Sequence, residues 1–168
     1  MLREIRPEEW NDNLFKAIGK DWLLVGAGDE KAYNVMTASW GEAGVLWGRD
    51  VMTVFIRPQR YTFGFMESSD YFSCQIFPDA LHDIHKICGT KSGRDIDKAR
   101  ACNLTPVFDE KAPYFKEARA VVICRKLYHD VMREEAFVDR DVLEEDYPER
   151  DLHHIYIGKI EKIMIEEE

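Results

Sequence analysis

Cysteine is scarce in this sequence and nowhere paired: Cys74, Cys88, Cys102 and Cys124 are its four, and none belongs to a C-x-x-C motif. A zinc ribbon and a thioredoxin-type redox motif are therefore excluded, and reduced, mostly buried thiols are expected. Long apolar runs are also missing. None approaches the eighteen or so residues that span a bilayer, and the opening MLREIRPEEW is too acidic and too poor in apolar residues for a secretory signal. The expected setting is the cytoplasm, with no membrane partner. Basic residues are in deficit, 23 against 32 acidic ones, for a net charge of −9. Such a chain repels a polyphosphate backbone, so nucleic acid is not an expected partner, although a local cluster of cations can still take one small anion.

Several familiar site motifs fail on inspection. Gly26-Ala27-Gly28 has Lys31 where a dinucleotide loop needs its third glycine, and a strand rather than a helix is expected to follow. Around Gly89-Thr90-Lys91-Ser92, Ile84 stands at the upstream glycine position of a P-loop, and Thr90 interrupts the Gly-Lys step. Ser39 lacks the flanking glycines of a nucleophile elbow. His82 and His85 could share a metal with Cys88 on a helix, but no fourth ligand is in view. Exposed helix histidines and no metal are expected there. His153 and His154 are adjacent, so on a strand they point to opposite faces.

What is present suits one globular domain over residues 1–168, with 45% hydrophobic and 33% charged residues. Pro7-Glu8-Glu9 reads as a first helical turn, with Trp10, Leu14 and Ile18 on one face and Gly19 closing the helix. WLLVGA, YNVMTASW, GVLW and VMTVFIR are strand candidates, separated by turns at Gly28-Asp29-Glu30 and Gly48-Arg49-Asp50. Thr62 is placed to cap a short helix through Ser68, and DYFSCQIF returns to strand. Residues Ala80 to Cys88 and Asp95 to Cys102 carry helical spacing, with GTKSGRD as the loop between them. ARAVVICRKLYHDV is a long strand candidate, and HHIYIGKIEKIMI alternates over its second half as a half-buried strand does. Strands dominate and strand-helix alternation is irregular, which favours a mainly β fold, an antiparallel barrel with added helices, over a doubly wound sheet.

Three segments share one chemical logic. The strand Asn34-Val35-Met36-Thr37-Ala38-Ser39-Trp40 turns small and hydroxylated near its end, so a flat ligand can approach its backbone. Arg57-Pro58-Gln59-Arg60-Tyr61-Thr62 brings cations, a stiff turn and a helix start together, and a helix start favours an anion. Lys91-Ser92-Gly93-Arg94 adds two cations around a hydroxyl and a permissive glycine, suited to phosphate oxygens. Together they describe a plane-binding wall with a phosphate clamp.

The order YNVMTASWGEAGVLW, RPQRYT, CGTKSGRDIDK and YIGKIE resembles the flavin reductase-like family of FMN-binding split barrels, flavoredoxin included. The resemblance runs from about Lys31 to Ile165. It implies a six-stranded antiparallel split barrel with peripheral helices, a homodimer, and FMN near the subunit interface. Carried onto matching positions, Met36, Thr37, Ala38 and Ser39 contact the isoalloxazine ring largely through backbone. Arg57, Arg60 and Thr62 hold the phosphate, with Tyr61 beside them, and Lys91, Ser92, Gly93 and Arg94 form the second phosphate loop. Trp40 and Tyr156 become neighbours of the ring or the substrate. One departure is Arg49-Asp50, where many relatives have a proline entering the next strand.

The implied activity is that of an oxidoreductase: FMN takes a hydride from NAD(P)H and passes electrons to an acceptor, and no side chain need serve as acid or base. A flavoredoxin-type electron carrier, reduced by a partner protein, is the alternative. A split-barrel binding module without flavin is the third reading.

Overall fold

The computed structural model describes residues 1–167. Eight strands form one sheet in which every pairing is antiparallel: β1 (Leu2–Ile5), β2 (Leu23–Gly28), β3 (Tyr33–Ala38), β4 (Gly41–Leu46), β5 (Arg49–Ile56), β6 (Tyr71–Ile76), β9 (Ala120–Val131) and β10 (His154–Glu166). Their order is β3-β2-β6-β9-β10-β5-β4, with β1 also on β10. A separate two-stranded ribbon joins β7 (Pro106–Val107) to β8 (Tyr114–Phe115). The helices are α1 (Leu14–Lys16), α2 (Tyr61–Ser68), α3 (Ile84–Thr90), α4 (Lys98–Ala101) and α5 (Arg140–Asp146).

The expected antiparallel split barrel with added helices is the observed architecture. Its sheet has eight strands rather than six. β3 and β4 end the sheet and are joined only through Ser39-Trp40, so the barrel stays open where they part. Two register shifts in the β9–β10 ladder, at Ile157/Gly158 and Ile160/Lys162, bend the long central strands.

Alternation builds two cores. Leu23, Val25 and Ala27, with Met52, Val54 and Ile56, Phe72, Cys74 and Ile76, and Ala120, Val122 and Cys124, point inward and are almost wholly buried. The intervening Leu24, Val121 and Ile123 face outward, yet are covered by α3, α4 and the β7–β8 ribbon. Burial on both faces explains why WLLVGA and AVVIC read as unbroken apolar runs. Cys74, Cys88 and Cys124 are buried and all four thiols are free, as their spacing implied.

Four local expectations need correction. The first helix does not run from Pro7 to Gly19. A 3₁₀ turn at Pro7–Glu9 stops at Trp10, and α1 restarts at Leu14 because the Asn13 side chain accepts from Lys16 N at 3.2 Å. The chain then widens into a π turn over Ala17–Asp21 and is closed by Trp22, with φ 68°, rather than by Gly19. Trp10, Leu14 and Ile18 still pack on one core.

Second, only Lys98–Ala101 of the stretch from Asp95 to Cys102 is helical, since Asp97 caps it by accepting from Arg100 N at 3.1 Å. Third, the turn after Leu46 is Trp47-Gly48, with φ of 55° and 64°. That two-residue type I′ geometry suits glycine, and it makes Arg49-Asp50 the start of β5. Fourth, Thr62 does not cap α2. Its hydroxyl is buried and accepts from Asn34 Nδ2 at 2.9 Å, while Arg60 holds the N-cap position without a side-chain bond.

No helix among the described residues is long and apolar enough to cross a membrane.

Candidate functional site

The site forms where the barrel opens. Met36 and Ala38 turn into the core from β3, and Thr37 turns the other way, its Oγ1 2.9 Å from His85 Nδ1 on α3. His85 is buried, and that burial lowers its pKa to about 4, so it sits neutral behind the strand. This corrects the expectation of an exposed helix histidine. Met36, Thr37, Ala38, Ser39 and Trp40 line one wall of a cavity of about 200 Å³, and Phe55, Arg57, Arg60 and His153 line the rest. The five strand-end positions singled out in the sequence thus share a single wall.

The two arginines at the end of β5 have different surroundings. Arg57 Nη1 lies 2.6 Å from Asp151 Oδ2, its Nη2 donates to the Asp146 carbonyl at 2.9 Å, and its guanidinium stacks over the Tyr147 ring. Burial alone would raise the Asp151 carboxyl, but hydrogen bonds from Arg57 and Gln59 outweigh it and hold the group below its ordinary range. Arg57 is therefore already neutralised. Arg60 has only the Cys88 carbonyl, at 3.3 Å, and burial lowers its pKa.

Two further cations, Lys98 and Arg94, approach Arg60. Lys98 is buried and donates to the Val35 and Cys88 carbonyls at 2.7 and 3.0 Å, and burial lowers its pKa to about 8. Arg94 lies over the Tyr61 ring, 4.7 Å from its centroid, and shares a second cavity with Arg60, Tyr61 and Pro58. Lys91 ends α3. Among the described residues none of Arg60, Lys91, Arg94 and Lys98 has a carboxylate within salt-bridge distance. In a chain of charge −9 such a cluster leaves positive potential to be met by an anion.

The loop carrying Lys91, Ser92, Gly93 and Arg94 is pinned to β3 and α2. A Cβ at Gly93 would stand 2.1 Å from Asn34 Oδ1 and 2.9 Å from Tyr61 Cδ1, so only glycine permits this approach. Ser92 Oγ accepts from Arg94 N at 3.2 Å. Asn34 is the hinge of the arrangement, touching Gly93 and holding Thr62. Nothing in the sequence marks it, because its role depends on three distant segments meeting.

Two residues depart from the sequence reading. Tyr156 is fully buried in the barrel, its hydroxyl donating to Glu67, and does not line the cavity. His153 does line it, packed near Trp40 and Phe55 with ring centroids at 5.2 and 6.4 Å. Burial and then the Arg57 charge lower its pKa to about 4, so it is neutral at pH 7. Its Nδ1 lies 2.6 Å from the Tyr147 hydroxyl, which leaves Nε2 as the nitrogen for the cavity. The adjacency of His153 and His154 hinted at this, since one of the pair had to face away from the barrel interior.

A larger, mostly apolar cavity of about 470 Å³ adjoins the first, sharing Ser39, Trp40 and Phe55 and bounded by Leu14, Phe15 and Ile18. The ensemble is a cleft with a planar wall, a cationic end and an apolar annexe.

The profile of the flavin reductase like domain matches residues 15–168, and the chain belongs to that family. Solved structures share the fold. An FMN-binding domain of a flavin reductases-like enzyme from Shewanella baltica OS155 superposes with a TM-score of 0.69 at 16% identity, covering 98% of this chain and 77% of that one. The flavoredoxin of Desulfovibrio vulgaris (Miyazaki F) gives 0.66 at 21%, covering 87% and 69%. An FMN-binding protein from Thermus thermophilus, solved with bound p-hydroxybenzaldehyde, gives 0.67 at 22%, covering 98% and 82%. Among curated proteins none matches the sequence.

Proposed function

We propose that the chain binds FMN in this cleft and acts as a flavin reductase-type oxidoreductase, drawing on NAD(P)H and delivering electrons to an acceptor. One observation carries the reading: Arg60, which has no carboxylate partner among the described residues, shares one cavity with the strand end Met36–Trp40 and a second with Arg94. A phosphomonoester would be held by Arg60, Lys91, Ser92, Gly93 and Arg94, together with the first amides of α2 at Tyr61 and Thr62. Arg57, tied to Asp151, would frame the site rather than neutralise the ligand. Met36, Thr37, Ala38, Ser39 and Trp40 would form the bed for the ring.

FMN, when bound, supplies hydride and electron transfer. The chain's own contribution is to orient, to exclude water with Trp40 and Phe55, and to present neutral His153 as a hydrogen-bonding group on the cavity wall. Among the described residues no carboxylate lines this cavity, and Glu42 borders the adjoining annexe. The apolar annexe beside Trp40 gives a small reductant or acceptor room next to the wall, which favours the reductase over a carrier that meets only proteins.

A homodimer fits the edge of the barrel. β4 is exposed along most of its length, and Val45, Leu46 and Trp47 present apolar surface there.

Anaerobic mixing of the FMN-loaded protein with NADH and with NADPH tests the activity. Loss of the yellow colour on a catalytic timescale supports the reductase. Colour that persists with both nucleotides, but is lost with a reduced partner protein, eliminates it in favour of an electron carrier.

A further inference from the structure

Away from the cleft, Glu67, His129 and His154 bring one ligand atom each within 4.8 Å of one another, the one such group of three among the described residues. The topology explains the meeting. Tyr156 of β10 pairs directly with His129 of β9, so His154, two residues earlier on the same face, is the diagonal neighbour of His129. Glu67 reaches them from the last turn of α2.

The geometry points to a binding site for a single divalent transition-metal ion of the zinc class, held by two imidazoles and one carboxylate. His129 Nε2 and His154 Nδ1 face each other at 2.8 Å, and their rings are nearly parallel with centroids 5.1 Å apart, an edge-to-edge arrangement. Two nitrogens so placed share one proton, and an ion can take that proton's place. Nitrogens bound at about 2.0–2.1 Å to a tetrahedral ion stand about 3.3 Å apart, so a small outward turn of the rings makes room. The Glu67 oxygen nearest His129 Nε2 is already at 3.5 Å.

Supporting contacts prepare the ligands. Tyr156 donates its hydroxyl to Glu67, the kind of outer bond that fixes a ligating carboxylate. The His129 ring lies flat on Tyr156, 4.6 Å between centroids and 2° between planes, and Phe63 meets His154 edge-on. The nearby Lys126 amine donates to the Met66 and Glu67 carbonyls. Glu67 and His129 are exposed, so an ion has free entry, and positions not filled by protein would go to water. Two imidazoles and one carboxylate suit zinc, iron, nickel or copper better than magnesium or calcium.

Co(II) is the informative probe. Titrated into the full chain without a histidine tag, it should develop visible absorption that saturates at one ion per chain, and Zn(II) should remove it. His129→Asn and His154→Asn should each weaken binding at least about tenfold, and Glu67→Gln by less. In the unaltered protein, imidazole NMR signals of His129 and His154 should move on adding Zn(II), while those of His82, His85 and His153 stay. This readout needs no variant to fold. Absorption that never saturates, signals that move at His82 or His85 instead, or equal affinity in the His129→Asn/His154→Asn double variant would overturn the assignment and leave a hydrogen-bonded triad only.

Discussion

Arg57 Nη1 sits 2.6 Å from Asp151 Oδ2, a contact that ties the end of β5 to the segment entering β10. It divides two arginines that the sequence presents as equals, because among the described residues Arg60 has no carboxylate to match. The division gives opposite expectations for their removal.

Arg60→Ala should weaken FMN binding by about 10- to 100-fold while changing riboflavin binding little, since a hydrogen bond to a charged group is worth about 1.5–3 kcal/mol. Arg57→Ala should instead weaken both ligands alike and lower unfolding stability by about 1–3 kcal/mol, through loss of the Asp151 pair and the stacking on Tyr147. Paired FMN and riboflavin titrations, with urea denaturation beside them, check both statements.

Gly93→Ala should disturb the cationic loop selectively. The added methyl meets Asn34 Oδ1 and Tyr61 Cδ1, so the loop or the Asn34–Thr62 hydrogen bond has to give. A stability loss of about 1–3 kcal/mol is expected, together with weaker FMN binding. Gly19→Ala is the control, with nothing within 4 Å of the added carbon, and should leave FMN binding unchanged.

Acid should unfold the protein through its buried histidines. His85 and His153 have folded pKa values of about 4 against an ordinary 6.5, so between these limits the unfolded chain binds more protons than the folded one. Their contribution is fully present above pH 6.5 and is lost as pH falls toward 4, at roughly 1.4 kcal/mol per pH unit for each histidine. Denaturation midpoints measured from pH 7.5 down to 4.5 should show this slope. His85→Gln should reduce it by about half.

Much of the fold was legible because it is written in local alternation. The period-two pattern of VMTVFIR and the unbroken runs of WLLVGA and AVVIC identify strands whatever they pair with. β1 was not legible: LREI carries two charges, only Ile5 is buried, and the strand exists because β10 offers it an edge. The break in the first helix is hidden from the sequence because the apolar spacing of Trp10, Leu14 and Ile18 survives the interruption that the Asn13 cap imposes.

At the site, the residues of the β3 wall and the cations of two loops could be named from their chemistry. What could not be read was how those cations divide. Asp151 lies far along the chain from Arg57, and its choice of that arginine over Arg60 depends on where α5 and the loop after it return. His153 was hidden for the same reason, since its neutral state comes from burial against Tyr147, Trp40 and Phe55.

The proposed anion clamp at the end of the β3 wall is tested most directly by calorimetric titration of the purified, flavin-free chain with FMN and with riboflavin. FMN should bind at one per chain, at least about tenfold more tightly than riboflavin. Equal affinities, or no heat with either ligand, would contradict it.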